Sequence, residues 1–401
     1  MIELEDARQQ ILAVMPTPVS ERVPLGDAHE RILAEPIAAP LDLPWFDHSA
    51  MDGYAVRTAD VAAAKADSPV RLRVRGKVTA GEVFPGELTG GDCVRLFTGS
   101  PLPRGADAVI VQEDTRADAN APGEVLILSA VKRWENARLR GEDLKRGAAL
   151  AEAGDVLTPG KISLLAAVGV GEARVGQRPT VGLLATGSEL REAGQPLAPG
   201  QIHESNRIGL AAHARRAGAA PRIFPLVPDT LAATQAALEQ AVSECDVVVT
   251  SGGVSVGETD FVKAAFERIG GRLQFWKVAI RPGRPFVFGR RGDKFLFGLP
   301  GNPVSALVTF LLLVRPALQR WQGAREVGMP AYPGVLAESL TNPGERRHFM
   351  RVRVDAAGNV LLAGLQASHA LSSVAAANGL VDVPARTTLA TGATVPVMRW
   401  D

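Results

Sequence analysis

Residues 245–261, CDVVVTSGGVSVGETDF, decide how the middle of this chain is expected to fold. Residues 246–250 are a short β-branched run of the kind found in buried parallel strands. The glycine-rich residues 251–257 follow, and their backbone N–H groups can approach a ligand closely. Glu258 and Asp260 then precede a predicted helix. A glycine-rich turn before a helix start is typical of anion sites, and the two acids indicate metal or oxyanion chemistry in addition.

The same alternation of strand and helix patterns extends from residue 179 to residue 323. It predicts a three-layer αβα domain of doubly wound type, with a parallel sheet and helices on both faces. Asn302 and Pro303 suit the start of the last helix, which Pro316 should kink. The predicted strands are residues 181–185, 222–227, 246–250, 273–280, 286–289 and 295–298, and the predicted helices are residues 206–217, 231–243, 261–269 and 303–322.

The rest of the chain predicts smaller domains, so the fold class is multidomain α/β plus β. Residues 46–140 hold short alternating strands between Gly and Pro turns and predict a small β domain. Residues 324–401 predict a C-terminal β barrel or sandwich. Residues 1–45 and 141–178 are assigned to a mixed α/β linking domain. Its helices are predicted at the N-terminus and over residues 27–34.

The composition is that of a globular protein of two to four domains, with 401 residues and 46% hydrophobic residues. The 44 basic and 43 acidic residues balance, so no overall field favours nucleic acid or a membrane surface. Cys93 and Cys245 are expected to be core thiols in a reducing compartment. The N-terminus is unlike a signal peptide, and residues 304–314 are too short an apolar run to span a bilayer. A cytoplasmic protein is expected.

Four loops of residues 179–323 follow strand ends, which in a parallel sheet meet at one rim. The rim would carry the acids Glu189, Asp229, Glu258 and Asp260 beside open backbone N–H groups. Three of these acids have an ordinary alternative role. Asp229 (or Thr230) and Asp260 can cap the helices that follow them, and Glu189 can favour a helix dipole. Their joint position therefore carries the functional prediction.

Basic residues complete this rim. Lys277 precedes Arg281 and Arg284, which flank a Pro-Gly turn. Arginine offers forked donors that fit phosphate or molybdate-like oxyanions, although a solvated turn is the alternative. Acids, cations and N–H groups together suit a phosphorylated substrate with a divalent metal. The sequence holds neither a P-loop nor a dinucleotide fingerprint, and its scattered His and Cys residues argue against structural zinc.

Two more polar clusters lie at the ends of the small β domain: residues 47–54, DHSAMDGY, and residues 138–143, RLRGED. Chance turns are the alternative for either one. Because they bracket one domain, they could lie close together in space.

Taken together, these segments resemble the molybdopterin molybdenumtransferase family, the bacterial counterparts of the gephyrin E domain. The resemblance runs from residue 25 to the C-terminus, and SAMDGYA with SGGVSVGE-x-D in one chain is highly specific. The matching segments are PWFDHSAMDGYAVR, FTGSPLPRGADAVIVQED, ENARLRGED, LLATGSEL, VVVTSGGVSVGETDF, VAIRPGRPFVFG and GLPGNPVSA.

The resemblance implies an elongated homodimer of four domains in which residues 46–140 project outward. It implies a Mg²⁺-assisted reaction that joins molybdate to adenylylated molybdopterin and releases AMP. Asp52 would reach the rim of the other subunit, so the site would be shared. The adenylyltransferase and other molybdenum-cofactor proteins are the further partners implied.

By motif match, the resemblance also assigns residues to roles. The implied catalytic residues are Asp52, Asp143, Glu189, Asp229, Asp260 and Lys277. The implied metal ligands are Glu189, Asp229 and Asp260. The implied substrate-binding residues are Thr98, Ser251, Gly252, Gly253, Ser255, Arg281, Arg284, Pro300, Pro303 and Ser368.

This chain departs from the family pattern at five of its positions. The pattern has Asn at His48, Asp at Ser188 and Thr230, and Lys at Arg281 and Arg284. Two other functions stay open. An adenylyltransferase uses a similar α/β domain, but the extra domains favour molybdenum insertion. A scaffold of gephyrin E-domain type is the other, and the retained acids argue against a purely structural role.

Overall fold

The computed structural model describes residues 1–118, 121–254 and 261–400. The predicted site residues Ser255, Glu258 and Asp260 therefore lie outside the described residues. The chain forms two compact units. The first comprises Met1–Glu35, Ala153–Leu157 and Ala173–Asp401, and the second comprises Pro36–Glu152 and Thr158–Glu172.

The first unit contains a six-stranded sheet. Its strand order is Ala220–Ile223, Thr180–Ala185, Val247–Ser251, Lys294–Leu299, Val287–Arg291 and Arg272–Trp276. The first four strands are parallel, as predicted. Val287–Arg291 is antiparallel to both of its neighbours. The sheet is mixed because a two-residue turn, with Gly292 at φ 61°, reverses the chain between two of its strands.

Helices cover both faces of this sheet, which confirms the doubly wound prediction. Val247 and Val249 pack into one core and Val248 into another, because successive strand side chains face opposite sides. Helices on the first face are Leu4–Ala13, Asn206–Arg216, Pro303–Thr309 and Arg315–Trp321, and those on the second are Leu231–Glu244 and Val262–Arg268.

The last helix, for which the sequence predicts a kink at Pro316, contains a π-helical turn, Phe310–Val314, just before that proline. Proline has no amide N–H, and its ring collides with the carbonyl four residues earlier in a regular helix. The wider turn before Arg315–Trp321 accommodates this ring while the chain stays helical.

The C-terminal part of the first unit is a closed β barrel, which confirms that prediction. Its strands, in order, are Arg347–Val354, Asn359–Leu362, Ala331–Leu336, Thr394–Arg399 and Gly379–Val383. The last of these pairs back with the first and closes the barrel. Ile280–Arg281 pairs with Arg347–Val354, so the segment between the central-sheet strands Arg272–Trp276 and Val287–Arg291 is attached to the barrel.

The second unit contains another six-stranded sheet. Its strand order is Ala108–Val111, Gly53–Val56, Asp92–Leu96, Val70–Val78, Glu124–Ile127 and Thr115–Ala117. The remaining strands are Ser20–Pro24, Ile37–Ala38, His48–Ser49, Ala137–Arg138, Ala149–Ala151, Glu172–Gly176, Leu190–Arg191, Ile202–His203, Leu340–Asn342 and Thr387–Leu389, and the remaining α-helices are Thr58–Val61, Pro159–Ala167 and Leu371–Ala375.

The helix predicted over residues 27–34 is wrong. A 3₁₀ turn, Leu25–Asp27, is followed by Glu30 with a left-handed φ of 59°. Ile32 and Leu33 then form bridges to distant segments. A left-handed residue ends a helix, and pairing with distant strands outweighs local helix propensity here. Across the three described ranges, no helix has both the length and the apolar character needed to cross a membrane.

Candidate functional site

A cavity of about 580 Å³ opens at the carboxyl ends of the central parallel strands. We call it the rim cavity. It brings together three loops that the sequence placed on one rim, which contribute Glu189, Ser251 and Pro303. The lining comprises Ala185, Thr186, Glu189, Leu190, Ile202, His203, Glu204, Ser205, Asn206, Ser251, Gly301, Asn302, Pro303, His369 and Leu371. The predicted convergence of these loops is therefore confirmed.

Asn206, at the start of a helix, ties two of these loops together. Its amide nitrogen donates to the Ser251 hydroxyl at 2.6 Å and to the Gly301 carbonyl at 2.7 Å. The Ser251 hydroxyl donates in turn, weakly, to the Pro300 carbonyl at 3.4 Å. Sequence reasoning missed Asn206, although a Ser-Asn pair at a helix start after a rim loop was a usable signal.

The turn after Ser251 accepts only glycine. Gly252 and Gly253 have φ of 91° and 69°. A Cβ at Gly252 would lie 2.8 Å from the Thr186 carbonyl oxygen, and one at Gly253 would lie 2.9 Å from the Thr186 hydroxyl. The Thr186 and Thr250 hydroxyls are buried and have no hydrogen-bond partner within the described part of the chain. Close backbone approach and unused polar atoms are what a ligand-binding turn needs.

Asp229 is joined to the loop that carries Glu189. Its carboxylate accepts a hydrogen bond from the Ser188 amide at 3.0 Å, and its own amide donates to the Ser188 hydroxyl at 3.2 Å. Thr230, and not Asp229, caps the next helix by accepting from the Ala233 amide at 3.2 Å. Thr230 is therefore the helix cap, and the Asp229 carboxylate instead contacts the loop that carries Glu189.

Only two of the three predicted metal ligands, Glu189 and Asp229, lie within the described residues. In residues 1–118, 121–254 and 261–400, no group of three or more His, Cys, Asp and Glu side chains could hold a metal ion. Asp260 lies outside these ranges. Glu189 and Asp229, on joined loops, supply the hard carboxylate oxygens that Mg²⁺ prefers, so the donor chemistry fits and the set stays a prediction.

A second cavity, of about 410 Å³, adjoins the first. Its charged residues are Arg281, Arg284 and Arg346, and we call it the cationic cavity. The remaining lining is Pro282, Gly283, Pro285, Asn302, Ser305, Gln366, Ala367, Ser368 and His369. Asn302 and His369 line both cavities, which places the two side by side.

Arg346 is a cavity residue that sequence reasoning missed. It donates to the Ile280 carbonyl at 2.7 Å, which fixes it beside the Arg281 turn. Burial, and then the charges of Arg284 and Arg281, lower the pKa of Arg346. Among the described lining residues there is no carboxylate to balance the three guanidiniums. An arrangement of this kind stabilises an anion with several oxygens.

Two further predicted residues have defined neighbours: Ser368 lines the cationic cavity, and Lys277 lies over Trp276. Ser368 accepts a hydrogen bond from the Asn302 amide at 3.2 Å, and its carbonyl accepts from the Val304 amide at 3.2 Å. Lys277 has a left-handed φ of 71°, and its ammonium stands 3.6 Å from the centroid of the Trp276 ring. The Trp276 indole donates to the Val254 carbonyl at 3.2 Å, so this ring links Lys277 to the glycine turn.

The second unit holds Asp52 and Thr98 together. The Asp52 carboxylate accepts from the Thr98 amide at 2.8 Å and from its hydroxyl at 3.0 Å. These bonds, the backbone one first, lower the pKa of Asp52. The two upstream polar clusters are neighbours as predicted, because His48 pairs with Arg138. Asp143, in the second cluster, donates its amide to the Leu43 carbonyl at 3.1 Å.

Comparison with known proteins agrees with this architecture. Three family models match the chain: MoeA N-terminal region (domain I and II) over residues 2–169, probable molybdopterin binding domain over residues 182–320, and MoeA C-terminal region (domain IV) over residues 333–400. A molybdopterin molybdenumtransferase of Haemophilus influenzae is 38% identical over 384 residues, which cover 94% of this chain and 93% of the relative. The chain belongs to the molybdopterin molybdenumtransferase family.

Other members of the family agree with this assignment. The molybdopterin molybdenumtransferase 2 of Mycobacterium tuberculosis is 40% identical over 368 residues, covering 90% of each chain. The crystal structure of a molybdopterin biosynthesis moeA protein from Pyrococcus horikoshii superposes with a TM-score of 0.84 at 30% identity, covering 100% of both chains. The resemblance identified from motifs is confirmed, and the central domain, the β regions and the barrel belong to the fold of this family.

Proposed function

We propose that this protein is a molybdopterin molybdenumtransferase that inserts molybdate into adenylylated molybdopterin and releases AMP. The observation that carries the proposal is the pair of adjoining cavities. One has three guanidiniums and no described carboxylate, and the other is lined by Glu189, Glu204 and Ser251, the residue before the glycine turn. Both reactants are anions, and the two cavities offer each of them a different set of partners.

The cationic cavity is assigned to molybdate. Arg281, Arg284 and Arg346 can each donate two parallel hydrogen bonds to a tetrahedral oxyanion. Ser368, fixed by Asn302, adds a hydroxyl at the boundary with the rim cavity. Charge neutralisation of the oxyanion by these three guanidiniums is then the main source of binding energy.

The rim cavity is assigned to the pterin phosphate and its adenylyl group. Ser251, Gly252 and Gly253 offer close backbone approach to the phosphate, and Pro300 and Pro303 shape the opposite loop. Lys277 is assigned to steady the phosphate. Glu189 and Asp229, with Asp260, would hold Mg²⁺, which when bound neutralises negative charge on the phosphoanhydride.

The contribution of the second unit rests on family resemblance. We assign Asp52, Thr98 and Asp143 to a site that a homodimer shares between its subunits. The proposal includes a cytoplasmic location, contact with the adenylyltransferase and other molybdenum-cofactor proteins, and no nucleic-acid or membrane partner. It also includes the domain boundaries 1–45 with 141–178, 46–140, 179–323 and 324–401.

The decisive experiment measures AMP release from adenylylated molybdopterin with and without molybdate. Insertion predicts release only when molybdate is present. ATP consumption independent of molybdate would point to an adenylyltransferase, and the absence of both activities to a scaffold. Asp260→Ala tests the metal assignment in the same assay, and wild-type turnover in that variant would overturn it.

A further inference from the structure

The barrel strand Arg347–Val354 carries a buried histidine that pairs in register with Arg281, a residue of the cationic cavity. His348 is only 3% exposed. Neither of its ring nitrogens has a hydrogen-bond partner among residues 1–118, 121–254 and 261–400. Buried polar side chains usually have a partner, and those without one often belong to a functional site.

The charges around His348 are predominantly positive. His348 is the register partner of Arg281 where Ile280–Arg281 joins the barrel. Arg346 lies two residues before it, immediately ahead of its strand. Arg351, three residues after it, is fully buried, and one of its terminal nitrogens has no partner in the described chain.

The nearest acid on the neighbouring barrel strand is already paired. Asp382 belongs to Gly379–Val383, whose Val383 is the register partner of His348. The Asp382 carboxylate forms an ion pair with Arg347, whose side chain faces the other side of the strand from His348. Burial, followed by the charges of Arg281, Arg351 and Arg346, lowers the pKa of His348 to about 4. The imidazole is thus neutral near pH 7.

We propose that His348 is a further residue of the oxyanion site, which takes up a proton when a tetrahedral dianion enters the cationic cavity. This inference rests on the proposed function, because it takes the cavity to be the place where molybdate binds. The positive charge of the guanidiniums keeps the imidazole neutral. A bound dianion would offset that charge, so the imidazole could then accept a proton. The proton comes from solvent, and a monoanion of the same shape compensates only half as much charge.

Thermodynamic linkage between proton binding and molybdate binding determines the direction in which molybdate affinity changes with pH. A proton that binds more tightly in the complex must tighten the dianion by the same factor. Molybdate affinity should therefore rise as the pH falls through the pKa that His348 has in the complex. A single linked proton limits the rise to about tenfold per pH unit. His348 would favour dianions over monoanions by this route.

Calorimetric titration of the full-length protein with molybdate tests the inference. The titration is run at about pH 6, near the ordinary range of histidine, in two buffers with different ionisation enthalpies. We expect uptake of a measurable fraction of a proton, and clearly less with perrhenate, a tetrahedral monoanion. His348→Asn should abolish the difference between the two anions. Equal uptake in wild type and variant, or none in wild type, would overturn the inference.

A second readout separates this inference from the proposed function. The KM for molybdate in the AMP-release assay is followed against pH in wild type, His348→Asn and His348→Gln. Molybdate-dependent AMP release with the same pH profile in all three proteins would refute the role of His348 and leave the function intact. AMP release that ignores molybdate would refute the function itself. If His348→Asn does not fold, the glutamine variant and the wild-type comparison with perrhenate still decide.

Discussion

The rim cavity and the cationic cavity share two residues but differ in chemistry. The rim cavity is lined by Glu189, Glu204 and Ser251, the residue before the glycine turn, whereas the cationic cavity contains three guanidiniums. Two anions repel each other, so a protein that joins them must hold each in a separate favourable field. The difference between the cavities shows how adjoining cavities could hold the two anions separately. Asn302 and His369 line both cavities and lie at their boundary.

Replacing Arg346 is the most direct test of whether the cationic cavity binds molybdate. Arg346→Met should lower kcat/KM for molybdate by about 10²–10³-fold, because one of the three guanidinium donors of the cationic cavity is lost. Arg346→Lys keeps the charge but loses the fork, and should recover only part of the activity. The KM for adenylylated molybdopterin should change little in both variants. An unchanged KM for molybdate in Arg346→Met would show that this cavity does not bind the oxyanion.

Gly252→Ala tests the rim cavity. A Cβ there would lie 2.8 Å from the Thr186 carbonyl oxygen on a backbone with φ 91°. Strain of about 1–3 kcal/mol should displace the turn and slow AMP release by roughly 10–100-fold. Gly194→Ala is the matched control, since Gly194 has φ 88° and nothing within 4 Å of the added atom. Equal losses in the two variants would remove the turn from the site.

Glu189→Gln tests whether the two cavities have separate roles, with Mg²⁺ bound in one and molybdate in the other. Loss of one carboxylate should raise the Mg²⁺ concentration needed for half-maximal AMP release by about tenfold, with little change in KM for molybdate. The measurement is a Mg²⁺ titration at saturating molybdate. A changed molybdate KM with an unchanged Mg²⁺ requirement would contradict the metal assignment.

The smallest predicted effect concerns acid stability. In the folded protein burial and three guanidiniums hold the pKa of His348 at about 4, below the ordinary value of 6.5. The unfolded chain therefore binds the proton first, and the free energy of unfolding should fall as the pH drops from about 6.5 towards 4. His348→Asn should flatten this part of the curve, as followed by urea denaturation at a series of pH values. Bound molybdate should flatten it too.

Local sequence patterns predicted much of the fold. The β-branched run at residues 246–250 and the alternation around it predicted the central sheet, because strand and helix periodicities differ. The wrong helix at residues 27–34 shows the limit. Ile32 and Leu33 pair with segments far along the chain, and no local pattern encodes such partners.

The candidate site divides in the same way. The sequence by itself determined the family, the glycine turn and the Arg281–Arg284 pair, since these depend on short segments with specific chemistry. Only the tertiary structure brought Arg346, Asn302 and His369 to the same cavities, and only it placed an unpartnered His348 in register with Arg281. Charges that act together across a barrel and a sheet come from distant segments, and their shared field exists only after those segments pack.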